Sequence, residues 1–160
     1  MKAAERAARE EVRHARGAAS LAKRYGAKRA SFTADVRGER SLEAFATENA
    51  IEGCVRETYG ALVATWQARE ASDPLVRAHM ARIAKEETTH AALAWRADAW
   101  ARGKLAKDAR ARVEAARRSA ARRLIDDVAT APDDALTAVA GVPTALVARR
   151  LACDLVASLG

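Results

Sequence analysis

Three stretches of the chain space their apolar positions alternately three and four residues apart, and two of them carry a glutamate and a histidine in the middle of the stripe. The first runs Ala4, Ala7, Glu11, His14, Ala18, Leu21, Tyr25. The second runs Phe45, Glu48, Glu52, Val55, Tyr59, Leu62, Trp66, and the third Val76, Met80, Ile83, Glu87, His90, Ala94, Ala97. Such alternation marks the seam of packed amphipathic helices. Composition agrees. Alanine and arginine dominate, aromatics are only 4%, and few residues favour strand. The fold class is all-α.

Breakers give the helix limits. The first helix spans about 3–25 and stops at Gly26, and residues 26–41 lack helical periodicity and read as a connection. A second helix covers about 42–69. Ser72, Asp73 and Pro74 supply a cap and a first-turn proline that open a third helix over about 74–102. The short turn makes helices two and three antiparallel neighbours. Beyond Gly103 a basic helix runs to about 128, followed by a break at 130–134 and a last helical piece after Pro143. Two regions are expected: a bundle over 1–102, and a basic helix with a short helical tail over 103–160.

The histidines carry the functional signal. The phrases EEVRHA (10–15) and EETTHA (86–91) are near repeats, and two of the chain's three histidines stand three residues after a glutamate. Folding the hairpin about residues 71–72 brings Glu52 level with His90. Glu57 points away from Glu52 by about 140° at 100° per residue and falls off the stripe. Glu52 is therefore the expected inward carboxylate, with Glu48, Glu57 and Tyr59 as alternate ligands or outer partners. Three carboxylates and two imidazoles in an apolar seam need compensation, since an isolated buried carboxylate costs several kcal/mol. A divalent cation supplies it; so does Glu–Arg pairing. No arginine lies on the three stripes, which favours the cation. His79, with no glutamate three residues before it, reads as an ordinary, partly exposed side chain.

A Glu-x-x-His on each of two helices with a further Glu from others resembles the ligand pattern of the ferritin-like superfamily, the carboxylate-bridged di-iron and di-manganese bundles of the rubrerythrin and bacterioferritin type. EGCVRET (52–58) and HAALAW (90–95) are similar to phrases in uncharacterised bacterial ferritin-like proteins. The resemblance covers roughly residues 3–101. It implies a helical bundle in which three of the four helices are recognisable. It also implies metal ligands Glu11, His14, Glu52, Glu87 and His90 around two iron ions (manganese is the other candidate), and oxidase- or peroxidase-like redox chemistry. The family's first, Glu-bearing helix has no counterpart here, so an upstream helix or self-association is expected to complete the bundle. The alternative is a non-catalytic helical domain whose basic tail meets an acidic partner.

Charge and cysteines bound the rest. The net charge of +7 is concentrated in residues 101–125, where nine Lys or Arg face two acids. No aromatic interleaves them, so base stacking is not offered and no nucleic-acid partner is expected. Two cysteines form no motif, no signal peptide or membrane span is visible, and a cytoplasmic setting is expected. Without its fourth helix the bundle leaves the apolar faces of Leu21, Tyr25, Tyr59 and Leu62 to be covered. The stripe Leu105, Ala109, Val113, Ala116, Ala120, Leu124 is one candidate cover, a second chain the other.

Overall fold

The computed structural model describes residues 2–27 and 38–159, which are helical throughout their regular structure and contain no strand. Most of the connection over 26–41, including the length read as a crossover, lies outside the described residues. The chain divides into two compact units, Met1–Ser41 and Leu42–Gly160.

The first unit contributes helix α1 (Lys2–Arg24), with Glu5 in its first turn and Lys23 and Arg24 in its last, each suited to the helix dipole. Its least exposed positions are Ala7, Glu10, His14, Gly17, Ala19 and Leu21. The expected stripe shares Ala7, His14 and Leu21 with this one, but Ala4, Glu11, Ala18 and Tyr25 are exposed. Glu10 displaces Glu11 because its charge is matched locally: Arg6 lies 3.3 Å and Arg13 3.5 Å from its carboxylate, one turn to either side.

In the second unit, α2 (Leu42–Glu48) continues without a break into a π-helical stretch (Asn49–Glu57) and then α3 (Thr58–Glu70). Helix α4 (Pro74–Lys104) folds back along all three. The expected cap is present: Asp73 accepts from the backbone N–H groups of Leu75 (2.6 Å) and Val76 (3.1 Å), with Pro74 in the first turn. Helix α5 (Lys107–Asp127) runs in the same direction as α2 and α3. Val113 packs with Ala46 and Ala50 near its start, and Ala120, Ala121 and Leu124 pack with Val55 near its end. Helix α6 (Asp134–Ala140) is short, and α7 (Ala145–Leu159) packs against α5 and α3. The helices beyond residue 102 thus share one core with the hairpin.

Tyr59 and Leu62 belong to that core. They pack against the cluster of Val55, Ala120, Ala121, Leu124, Ala152 and Leu155, so α5 and α7 cover this half of the surface expected to need a cover, whereas Tyr25 is 53% exposed. The stripe expected on α5 is realised, with Ala109, Val113, Ala120 and Leu124 buried. No single helix among the described residues is long and apolar enough to cross a membrane.

Gly141 ends α6 in the left-handed conformation (φ 64°) and seats against the hairpin turn, where an added Cβ would lie 2.5 Å from the Ala71 nitrogen. Gln67 Nε2 donates to the Ala140 carbonyl (2.9 Å) and the Asp73 N–H to the Val139 carbonyl (3.3 Å), fixing α6 at the same place. Gly60 is the contrast: it lies inside α3, and a Cβ there would meet nothing within 4 Å. Gly141→Ala is expected to destabilise the fold by about 2 kcal/mol, and Gly60→Ala to stabilise it by about 0.5–1 kcal/mol. Thermal melts of the two variants should move in opposite directions, and a common shift would remove the docking role of Gly141.

Candidate metal centre

Each Glu-x-x-His phrase forms a pair within its own helix. In α1, His14 Nδ1 lies 3.5 Å from a Glu11 carboxylate oxygen, with the histidine buried and the Glu11 side chain 57% exposed. In α4, His90 Nδ1 lies 3.8 Å from Glu87, and here both side chains are withdrawn from solvent, at 4% and 15%. The spacing is the cause. Residues three apart on a helix are neighbours, so either helix presents one imidazole nitrogen and one carboxylate oxygen together.

Glu52 departs from expectation. Its side chain is 58% exposed and lies 3.6 Å from Arg56, one turn on. Counting at 100° per residue assumes α geometry, whereas residues 49–57 hydrogen-bond i→i+5 and are underwound. The error accumulates along the stretch, so Ala50, Cys54 and Val55 face inward and Glu52 turns to solvent. Glu48 and Glu57 are partly buried. Tyr59, the other alternate, donates its hydroxyl to the Ala148 carbonyl (3.3 Å), and burial raises its pKa. Its oxygen serves the α3–α7 contact.

The sequence reading missed a buried ionic network in the second unit. Asp98 is fully buried, and its Oδ2 lies 3.0 Å from Arg102 Nε and 3.4 Å from Arg117 Nη1. Arg117, itself buried, donates to Glu114, stacks over the Trp95 ring at 5.3 Å, and Glu114 also accepts from Arg118 (3.3 Å). Trp95 Nε1–H donates to Thr58 Oγ1 (3.2 Å), whose hydroxyl donates to the Cys54 carbonyl (2.8 Å). Asp98 Oδ1 has no hydrogen-bond partner among the described residues. Asp98 stands four residues after Ala94, and Arg117 four after Val113. Both positions lie on buried stripes, and that spacing was the available signal.

Cys54 borders this network. Burial, then the charge of Asp98, pushes its thiol up to about 12, with Arg117 and Arg102 pulling the other way. Asn49 donates to the Ala94 carbonyl (3.0 Å) and reaches the Cys54 sulfur at 3.8 Å.

Among known proteins, no family model, curated sequence or solved structure matches the chain.

Removing one partner of a buried ion pair leaves an uncompensated charge. Arg117→Met is therefore expected to cost about 3 kcal/mol, and the double change Asp98→Leu with Arg117→Met distinctly less. Denaturant titration checks this, and a double variant weaker than the single one would show that the charges themselves hold α5 in place.

The cysteines give a second check. At pH 8 a thiol with a pKa of about 12 is thiolate in only about one molecule in ten thousand. The native protein should therefore take one equivalent of a thiol reagent quickly, at exposed Cys153, and the second only on unfolding. Rapid double labelling would contradict the burial of Cys54.

Proposed function

We propose that this protein binds a transition metal of the iron or manganese class through its two Glu-x-x-His pairs, in the manner of the ferritin-like bundles its sequence resembles. The observation that carries the reading is the repetition of one arrangement: an imidazole Nδ1 and a carboxylate oxygen 3.5 Å apart at His14 and Glu11, and 3.8 Å apart at His90 and Glu87. Two ligands about 2.1 Å from one metal are separated by about 3–3.4 Å, so each pair closes on an ion with a small side-chain rotation. The donor set fits. One nitrogen and one or two oxygens per pair suit Fe(II) or Mn(II), and neither pair offers a thiolate that would select a softer ion. A bound ion of this class supplies open positions at which O₂ or peroxide reacts.

The chain's own contribution is positional. Placing each pair on consecutive turns fixes both donors to one helix, and burial of His14 and His90 limits the rotation of the rings. Glu52 has no part in this reading. Its carboxylate faces Arg56 and solvent, so the ligand set supported here is Glu11, His14, Glu87 and His90.

The double variant His14→Ala with His90→Ala is expected to lose most bound metal after anaerobic Fe(II) or Mn(II) loading, read by elemental analysis, while its helical circular dichroism stays nearly unchanged. Glu52→Gln should keep its metal. Loss of metal in Glu52→Gln would restore the five-ligand site, and undiminished stoichiometry in the histidine variant would leave a helical scaffold without a metal function.

A further inference from the structure

The elbow between α4 and α5 forms a cleft that the metal reading does not use. It is an open hollow of about 490 Å³ lined by Arg102, Gly103, Arg110, Ala111 and Glu114. The first two belong to the last turn of α4 and the others to the opening turns of α5. Gly103 helps keep it open, since a Cβ there would meet nothing within 4 Å.

The charged walls are held from behind. Arg102 Nε is engaged by the buried Asp98 at 3.0 Å, and of the five N–H groups of a guanidinium this leaves the four on the Nη atoms. Glu114 is fixed by Arg117 and Arg118. The backbone N–H of Arg110 donates to the Ala106 carbonyl (3.0 Å), and its side chain has no hydrogen-bond or ion-pair partner among the described residues. The guanidiniums of Arg102, Arg110, Arg117 and Arg118, in the lining or braced against it, outnumber the carboxylates of Asp98 and Glu114 by two; Lys104, Lys107 and Asp108 on the same elbow add one more positive charge. Ala106, the N-cap of α5, gives its first turn no side-chain cap, so the amide dipoles there add to the same field.

We propose that this cleft binds a phosphate monoester of a small organic molecule. A monoester carries a charge of about −1.5 to −2 at neutral pH, which matches the guanidinium surplus. The Nη groups of Arg102 and the uncommitted Arg110 present the planar donor forks that recognise phosphate oxygens. The cleft lies within the roughly 300–1,000 Å³ of small-molecule sites and far exceeds a phosphate group alone. Gly103, Ala111 and the arginine methylenes leave room for the organic part, and Glu114 is placed to accept from a hydroxyl on it. Asp98 acts as a positioning residue, orienting Arg102 without touching the ligand.

Calorimetric titration of the full chain with ribose 5-phosphate, ribose and inorganic phosphate tests the proposal. The ester should bind and ribose should not. Arg110→Gln and Gly103→Leu should each weaken the ester by about tenfold or more, the first by removing a charged donor and the second by filling the space. Arg123→Gln, an exposed arginine bonded to Ser119, should stay within about twofold of the parent, as expected of a charge that serves only the general field. Circular dichroism confirms that each variant is folded. Absence of ester binding overturns the proposal, as does an equal loss in Arg123→Gln. Inorganic phosphate bound as tightly as the ester, and indifferent to Gly103→Leu, overturns the organic-ester assignment.

Discussion

A methyl group added at Gly53 would lie 2.6 Å from the Ala94 methyl, so the π-wound stretch and α4 pack too closely here to admit any side chain at that position. That contact organises the second unit. At such a distance the stretch has to present Gly53 to α4, and its wider winding decides which neighbours follow. Cys54 and Ala50 stay inside, Val55, Tyr59 and Leu62 turn to the face that α5 and α7 cover, and Glu52 swings to the surface. Asn49 closes the same contact from the other side by donating to the Ala94 carbonyl.

The core that results is built mainly from alanine. Its largest fully buried side chains are Val55, Val113, Asp98 and Cys54, so two of the four are polar or weakly so. Small side chains let helices approach but remove little apolar area, and each contact contributes correspondingly little. A buried Asp98–Arg117 pair adds little net stability in such a setting. What it adds is register: Arg117 satisfies Asp98 and the Trp95 face together in only one alignment of α5 on the hairpin. The Glu43–Arg112 pair at the start of α5, with distances of 2.7 and 2.9 Å, repeats the same alignment at the surface.

The helix limits were legible because their signals are local. Asp73 and Pro74, and the break before Asp134, each act through backbone geometry that the sequence states directly. The stripe on α5 was legible for the same reason. Which face of α1 and of residues 42–70 is buried was not. On α1, the stripes through Glu10 and Glu11 share Ala7, His14 and Leu21, and the choice rests on the arginines flanking Glu10. Over 49–57, no residue announces i→i+5 winding, and a count at 3.6 residues per turn selects Glu52, which the wider winding turns to solvent. Asp98 and Arg117 stood on countable stripes but were passed over as charged.

Two means of compensating a carboxylate were set against each other in the sequence, a guanidinium or a metal, and the structure shows where the first applies. Glu10 faces Arg6 and Arg13, Asp98 faces Arg102 and Arg117, and Glu52 faces Arg56. Each of these carboxylates has a permanent cation at hand. At Glu11 and Glu87 the neighbour set by the i,i+3 spacing is an imidazole. The two side chains of each pair together offer a nitrogen and an oxygen donor. In a chain that writes arginine so freely, the use of histidine at the same offset in both helices is the feature that distinguishes these two carboxylates from the rest. It is also why the metal reading attaches to them and not to the larger charge network around Asp98.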